Sequence, residues 1–346
     1  MSGWVVRPAR ADDVDALHAM ARDSLAGVTS LPDDRAQWLE RLQRTEAAFA
    51  NPASGPAEVD YVFVLEELGT GALLGCASLQ ANCGYSQPFY SLRQDTFIHA
   101  SPSLGIKHTV QALSLCHDLC GGTLLRGFYV RPAWRDGPAA ELISRARLLF
   151  IAAHRDRFAA RLIAEIVGHT DEQGCSAFWE AVGQRFFGMD YAEAEALGAS
   201  PDRTYMAELL PHYPIYVPLL PEPAQRVIGQ VNPGAERPYR ILVGEGFTHT
   251  RYVDVYDAGP TLEADTAQVR SIAHSHAAPS RISHAAPGAN ACDWLVCNQQ
   301  VAGFRALIIH TRWLPGRPLA LSAAHAAALH LNEGDPVRLV RLQEHT

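Results

Sequence analysis

The stretch from Leu124 to Ala153 constrains the fold more than any other part of this chain. It reads as an apolar strand from Leu124 to Val130, a sharp turn carrying Pro132, Gly137 and Pro138, and a long helix that begins at Ala139. A helix start holds several backbone N–H groups without intrahelical partners, and the aligned peptide dipoles place partial positive charge there. A strand, a turn and a helix in that order therefore make a cradle for an anion such as a phosphate. Leu142, Ile143, Ala146, Leu149, Phe150 and Ala153 keep the i, i+3, i+4, i+7 rhythm, whereas Glu141, Arg145 and Arg147 fall elsewhere on the wheel. The pattern predicts one core face and one wet face.

Composition narrows the partners. With 346 residues, 48% hydrophobic and 19% charged, the chain reads as a soluble globular protein of two domains, or of one elaborated domain and a small one. A formal charge of -8 without any basic run argues against nucleic acid or anionic membrane as a partner. The first residues, Met1-Ser2-Gly3-Trp4-Val5-Val6-Arg7, lack the layout of a signal peptide, and no apolar run approaches the ~18 residues of a membrane span; a cytoplasmic location is expected. Seven cysteines at irregular spacing fit structural thiols in a reducing compartment. Cys116-His117-Asp118-Leu119-Cys120 lacks the second ligand cluster that structural zinc needs, Cys292 and Cys297 are no better placed, and His274 and His276 read as loop neighbours; no metal is expected.

Ahead of the cradle the periodicity predicts a strand over 4–10, a helix from Asp12-Asp13, a second helix over about 35–50, and two strands, 61–66 and 73–79, joined as a hairpin through Gly69-Thr70-Gly71. Beyond it, 162–167 reads as another strand. Phe178 to Gly183 and Pro238 to Gly246 each read as a helix stopped by glycine before an aromatic strand entry, at Phe186-Phe187 and at 252–256, which suggests a partial internal duplication. Prolines at 211, 214, 218, 221 and 223 mark an extended connection that excludes helix, and 263–290, rich in Ala, Ser, His and Pro, an exposed one. Strands at 304–309 and 337–342 around a short helix at 322–330 complete a small β-rich subdomain. The expected organisation is residues 1–262 as one domain and 263–346 as the small one.

The strings Gly27-Val28-Thr29-Ser30-Leu31-Pro32, Tyr61-Val62-Phe63-Val64-Leu65-Glu66, His99-Ala100-Ser101, Asp171-Glu172-Gln173-Gly174, Ala207-Glu208-Leu209-Leu210-Pro211, Gly229-Gln230-Val231 and Asp257-Ala258-Gly259-Pro260-Thr261-Leu262 resemble the arginine N-succinyltransferase family almost end to end. Leu115-Cys116-His117-Asp118-Leu119 and His212-Tyr213-Pro214-Ile215-Tyr216 look most like the α chain of its two-chain members. The resemblance implies an α+β fold of the GNAT acyltransferase kind, with a mixed, largely antiparallel sheet flanked by helices. It also implies transfer of a succinyl group from succinyl-CoA to the α-amino group of L-arginine, or of ornithine in the two-chain enzymes. Succinyl-CoA is then a co-substrate and no cofactor is bound permanently; a homologous second chain or a homodimer is the implied partner.

Two positions depart from the family pattern. Asn232 stands where the family's proposed catalytic histidine follows a Gly-Gln-Val string, and Pro138 replaces the central glycine of the superfamily's phosphate turn in Arg135-Asp136-Gly137-Pro138-Ala139-Ala140. Proline has no N–H for a phosphate oxygen, and Asp136 adds a negative charge nearby. Arg135, Gly137, Ala139 and Ala140 are the candidates for holding the coenzyme, and by resemblance Phe128, Tyr129 and Val130 supply the N–H that receives the thioester oxygen. Asn232 does not titrate, so Glu165, His212 and His169 are candidates for the base that takes a proton from the amine. For the acceptor, Ser30, Arg93 and Glu208 are the substrate candidates, with Arg93 suited to a carboxylate and Glu208, Asp33 or Asp34 to a guanidinium. Asp33 and Asp34 also suit a helix cap, and Phe89-Tyr90 either core or pocket wall. Three functions stay open: an arginine succinyltransferase, a catalytically weak structural or regulatory α subunit of a heteromeric enzyme, and an acyltransferase with another acceptor amine.

Overall fold

The computed structural model describes residues 3–51, 55, 57–198, 204–283 and 290–342. Among the described residues fifteen strands form: β1 (Trp4–Pro8), β2 (Asp60–Glu67), β3 (Leu73–Gln80), β4 (Ser91–Ser101), β5 (Ile106–Cys116), β6 (Thr123–Val130), β7 (Arg161–Glu165), β8 (Ile215–Tyr216), β9 (Thr248–Val253), β10 (Pro260–Asp265), β11 (His276–Ile282), β12 (Cys292–Asn298), β13 (Ala306–Thr311), β14 (Leu319–Leu321) and β15 (Pro336–Arg341). They join edge to edge in the order β14-β11-β15-β12-β13-β1-β2-β3-β6-β7-β10-β9-β4-β5-β8. Among the described residues every pairing is antiparallel except β6 with β7 and β11 with β14. The class is α+β, with a mixed, largely antiparallel sheet and helices packed against it.

The helices that flank the sheet include α1 (Val14–Arg22), α2 (Arg35–Ala50) and α3 (Pro138–Ala153). Asp34 caps α2 by accepting hydrogen bonds from the N–H groups of Ala36 and Gln37. Trp38 and Leu42 of α2 pack with Leu17 and Met20 of α1 against Val62, Val64 and Cys76, while Phe150 and its neighbours on α3 pack in a separate cluster with Phe63, Ala77 and Leu79. Alternation along β2 and β3 thus sends successive side chains into two different cores.

Helix α3 departs from the expected half-wet character. Glu141 is 8% exposed and Arg145 1%, because the helix Glu236–Gly244 with Glu245 and the helix Arg270–Ala273 pack over them, and Arg147 is 2% exposed because it turns onto β3 and β6, donating to Ser78 O and Arg126 O. The charges of Glu141 and Arg145 are buried with partners. Arg145 Nε lies 3.1 Å from Glu141 Oε2 and 2.9 Å from Glu245 Oε1, Arg237 reaches Glu141 at 2.9 Å, and Glu245 also accepts from the N–H and hydroxyl of Ser271 at 2.6 and 2.8 Å.

Several other expectations change. Phe186-Phe187 lie in a helix, Gly183–Phe187, so the suspected duplication has no strand there to match the one after Gly246. Pro221 and Pro223 stand at the cap and in the first turn of a helix, Glu222–Val227, where the missing N–H costs nothing. The supposedly exposed connection after residue 263 holds the end of β10, the helix Arg270–Ala273 and β11, in which Ala278 and Ser280 alternate inward; residues 284–289 lie outside the described residues. The expected boundary after residue 262 falls inside β10. The ribbon of β4 and β5 and the strand β12 are additions. β4 and β5 are mostly polar and exposed toward their turn, whereas in β12 Trp294 and Val296 face a small C-terminal core and Leu295 and Cys297 face the α3 core.

The buried pair Arg145–Glu245 generates a stability prediction. Glu245→Ala leaves Arg145 without one of its two carboxylates and orphans the Ser271 N–H, a loss of about 3 to 5 kcal/mol. Urea unfolding at neutral pH checks it, and a loss below about 1 kcal/mol shows that Glu141 alone satisfies Arg145.

Candidate functional site

Strands β6 and β7 run side by side for only three residue pairs, Thr123↔Leu162, Leu124↔Ile163 and Leu125↔Ala164. Past Leu125 they separate. β6 continues to Val130 paired only to β3, and β7 is held on its other side by β10, from Thr261↔Glu165 to Asp265↔Arg161. The edge of β6 from Arg126 onward therefore faces open space.

A bulge sets the direction of that edge. Cys76 pairs with Tyr129 and Ser78 with Arg126, so Gly127 and Phe128 together oppose Ala77. Gly127 sits at φ +59, and a Cβ there meets Ser78 Oγ at 2.9 Å and Leu31 Cδ2 at 3.3 Å; the position admits little but glycine. Its N–H turns out of the ladder and donates to Ser30 Oγ at 2.9 Å. Ser30, a substrate candidate in the sequence, holds the bulge in place.

The separation opens into a cleft of about 760 Å³ whose lining includes Ser30, Leu124 to Val130, Arg135 and Ala164 to Val167. Phe128, Tyr129, Val130, Arg135 and Glu165 are thus brought together on one cavity. Glu165 closes β7 at its rim and is half-buried. At the start of α3, Gly137 is the cap residue and Pro138 the first helical residue; Ala139 and Ala140 are buried, and the Ala140 N–H turns back to Gly137 O at 3.2 Å. Gly137, Ala139 and Ala140 do not line the cleft.

Other candidates are elsewhere. Asn232 is buried at the head of a 3₁₀ turn, where its Oδ1 accepts from the Gly234 N–H at 2.9 Å and its Nδ2 donates to Thr170 Oγ1 at 3.0 Å; its neighbours Gly234 and Ala235 reach the cleft. Both ends of its amide are occupied by turn structure. Arg93 is bound to Asp95 at 2.9 Å and Asp118 at 3.0 Å, which raise its pKa, and it does not line the cleft. Glu208, His212 and His169 are exposed and line none of it. Asp34 caps α2 and Asp33 pairs with His18 at 2.8 Å, while Phe89 forms cleft wall and Tyr90 does not. Cys116 donates to Ser91 O, and among the described residues no group of three or more His, Cys, Asp or Glu is placed to hold a metal ion.

The charged lining goes beyond the residues that motif and spacing single out. On the α2 side, Arg41 and Arg126 share Asp60, at 3.2 Å and 2.5 Å, and Arg41 also donates to Ser30 O and Ser78 Oγ at 2.6 and 2.9 Å. On the α3 side stands Arg147, whose guanidinium burial pushes down to about 10, so that it stays charged at neutral pH. Around Gly27 an acidic group gathers. Asp257 accepts from the N–H groups of Gly168 and Gly259 at 2.7 Å each, and Glu195 accepts from Gly27 N–H. Burial and the nearby Asp254 push the Asp257 carboxyl well above the usual range and the Glu195 carboxyl up to about 7. A lone arginine in the apolar strand Leu124-Leu125-Arg126-Gly127-Phe128 and two more in the apolar stretch of α3 are the signals that mark the basic residues.

Two family models match the chain. One, described as "Arginine N-succinyltransferase beta subunit", covers residues 4–271, and the other, which describes the C-terminal domain of the same beta subunit, covers 278–341. The chain is 49% identical over 336 residues, 97% of its own length and 99% of the relative's, to the arginine N-succinyltransferase subunit alpha of Pseudomonas aeruginosa PAO1. It is 39% identical over 341 residues, 98% of its length and 97% of the relative's, to an arginine N-succinyltransferase of Enterobacter sp.. A solved structure of arginine/ornithine succinyltransferase subunit AI from Pseudomonas aeruginosa superposes with a TM-score of 0.92 at 46% identity, covering 99% of this chain and 100% of that one.

The acidic group fixes a sign for the pH dependence of stability. Glu195 keeps its proton in the folded chain up to about pH 7 but loses it near its ordinary value of 4.5 when unfolded, so the unfolded state binds fewer protons between those values. Stability contributed by this group falls as pH rises from about 4.5 to about 7 and then levels off. Glu195→Gln should flatten that part of the profile in urea unfolding at several pH values across and above this window; parallel profiles for the two proteins argue against a protonated Glu195.

Proposed function

As the chain belongs to the arginine N-succinyltransferase family, we propose that it transfers the succinyl group of succinyl-CoA to the α-amino group of L-arginine, with ornithine as a second acceptor. The observation that carries the reading, beside the family itself, is the open edge of β6 facing the cleft between the separated parallel strands. A GNAT-type acyltransferase needs such a gap for the pantetheine arm to lie along a strand edge like an added strand. An N–H of Phe128 to Val130 would receive the thioester oxygen as it becomes an oxyanion, a contact worth about 2.7 to 4 kcal/mol.

The attacking amine must be neutral. Glu165 is the candidate base that the fold leaves at the cleft, at the end of the strand that diverges from β6. Asn232 is better read as a positioning residue for the turn beside the cleft, since its amide is engaged by Gly234 and Thr170. The pyrophosphate is assigned to the mouth of the turn before α3, where Arg135 supplies the charge that Pro138 cannot supply as an N–H. We take the chain to act in the cytoplasm, with a homologous second chain or a second copy of itself. A catalytically weak α subunit is the second reading, and Asn232 and Pro138 are the observations that favour it.

An assay of CoA release decides between them. Purified chain with succinyl-CoA should release CoA much faster with arginine than with lysine, because only a guanidinium offers a planar bidentate face, and Glu165→Gln should lower the rate about 10²- to 10⁴-fold. Equal rates with arginine, lysine and a simple amine sink the acceptor assignment. Tight succinyl-CoA binding without turnover, restored only by a homologous chain, establishes the reading as a weak α subunit instead.

A further inference from the structure

Two buried arginines make no ion pair among the described residues: Arg157, which donates to the Tyr61 hydroxyl at 3.1 Å and Asn51 O at 2.8 Å and does not line the cleft, and Arg147, which does. Arg145 is shared by two carboxylates, and Arg41 and Arg126 by Asp60, but among the described residues Arg147 makes no ion pair. It is 2% exposed and lines the cleft. Its contacts are with neutral oxygens at the long end of the hydrogen-bond range: Ser144 O at 3.3 Å, Ser144 Oγ at 3.4 Å, Ser78 O at 3.2 Å and Arg126 O at 3.5 Å. The guanidinium also lies 5.8 Å from the centre of the Phe128 ring. A guanidinium has five donors in a fixed fork matched to a carboxylate, and a buried charge without a counter-ion is costly. Here the fold supplies neutral acceptors and a ring face but no carboxylate.

Its position says which anion fits. Ser78 and Arg126 are the pair at which the β6 bulge begins, so Arg147 reaches the sheet where the edge of β6 opens. Along α3, Arg147 lies eight residues beyond Ala139, or about 12 Å from the helix start proposed to face the pyrophosphate. A coenzyme laid between those two points brings its acyl end toward Arg147 and its thioester beside Phe128. Resting on the acyl-CoA reading above, we propose that Arg147 is the counter-ion of the terminal carboxylate of the acyl group, and so the residue that selects a dicarboxylic acyl donor. The same chemistry could come from the α-carboxylate of the acceptor; α3 is the helix of the coenzyme in this reading, which favours the donor.

The test compares succinyl-CoA with butyryl-CoA, which has the same chain ending in a methyl group, and arginine with argininamide, which lacks the α-carboxylate. Wild-type chain, with a homologous chain if activity requires one, should prefer succinyl-CoA in kcat/KM. Arg147→Gln and Arg147→Met should each lower the succinyl to butyryl ratio by about ten- to a hundred-fold, and Arg147→Lys should recover part of it. Circular dichroism and melting of each variant check that it folds, as removal of a buried charge without a counter-ion is expected to allow. An unchanged ratio in both variants overturns the proposal while the transferase reading stands. A fall in the arginine to argininamide ratio instead, with the acyl ratio constant, overturns it in favour of the acceptor carboxylate. A wild-type chain indifferent to the acyl carboxylate overturns the succinyl reading itself.

Discussion

The divergence of β6 from β7 after three residue pairs is the constraint that the rest of this molecule serves. Two parallel strands gain a hydrogen bond for nearly every residue they keep in register, so separation needs something to hold each strand on its other side. β3 holds β6 through the bulge, and β10 holds β7. The bulge in turn depends on one glycine and one hydroxyl: Gly127 takes a left-handed conformation that a side chain would contest, and Ser30 accepts the N–H that the ladder gives up. Ser30 is fixed by the loop between α1 and α2, which therefore shapes a strand far away in the chain.

The second dependence is electrostatic. Helix α3 is buried along nearly its whole length, because strands from both the central and the C-terminal parts of the sheet and the helices Glu236–Gly244 and Arg270–Ala273 all pack against it. An all-apolar helix would satisfy that, yet this one carries Glu141, Arg145 and Arg147. The first two join Glu245 and Arg237 in a network that ties α3 to the helices after it, which fixes their register at some cost in desolvation. Arg147 is outside the network. Its donors meet only neutral oxygens, and it lines the cleft.

Much of the fold was legible because its elements obey local rules. β1, α1, α2, the β2–β3 hairpin, β6, α3 and β7 follow from hydrophobic period, caps and glycine turns, and they assemble into the expected α+β architecture. The elements that escaped were governed by distant contacts. β4 and β5 are polar because much of their ribbon faces solvent, and β12 has no alternation because both its faces are covered. The wet face expected for α3 failed for the same reason, since a helical wheel reports polarity and not what comes to lie upon it. At the site, Phe128, Tyr129, Val130, Arg135 and Glu165 meet on one cleft, but Arg93, Glu208 and His212 do not, and nothing in single-residue chemistry reveals that Asp95 and Asp118 already hold Arg93.

The two departures from the family pattern carry different weight once the structure is considered. Pro138 occupies the first helical position, where an N–H would have no intrahelical acceptor and where proline's fixed φ suits the helix, so for α3 itself the substitution costs nothing. Under the proposed function, an anion at the helix start would lose one donor there and keep the dipole and Arg135. Asn232 is the reverse. Its side chain is consumed by Gly234 and Thr170 and its N–H by Val167 O, so it ties the turn after residue 231 to the strand exit that carries Glu165. A titrating side chain at that position would have to abandon these bonds to reach the amine. The carboxylate at the end of β7, by contrast, lines the cleft, which is why the proposed base is Glu165 rather than a residue at position 232.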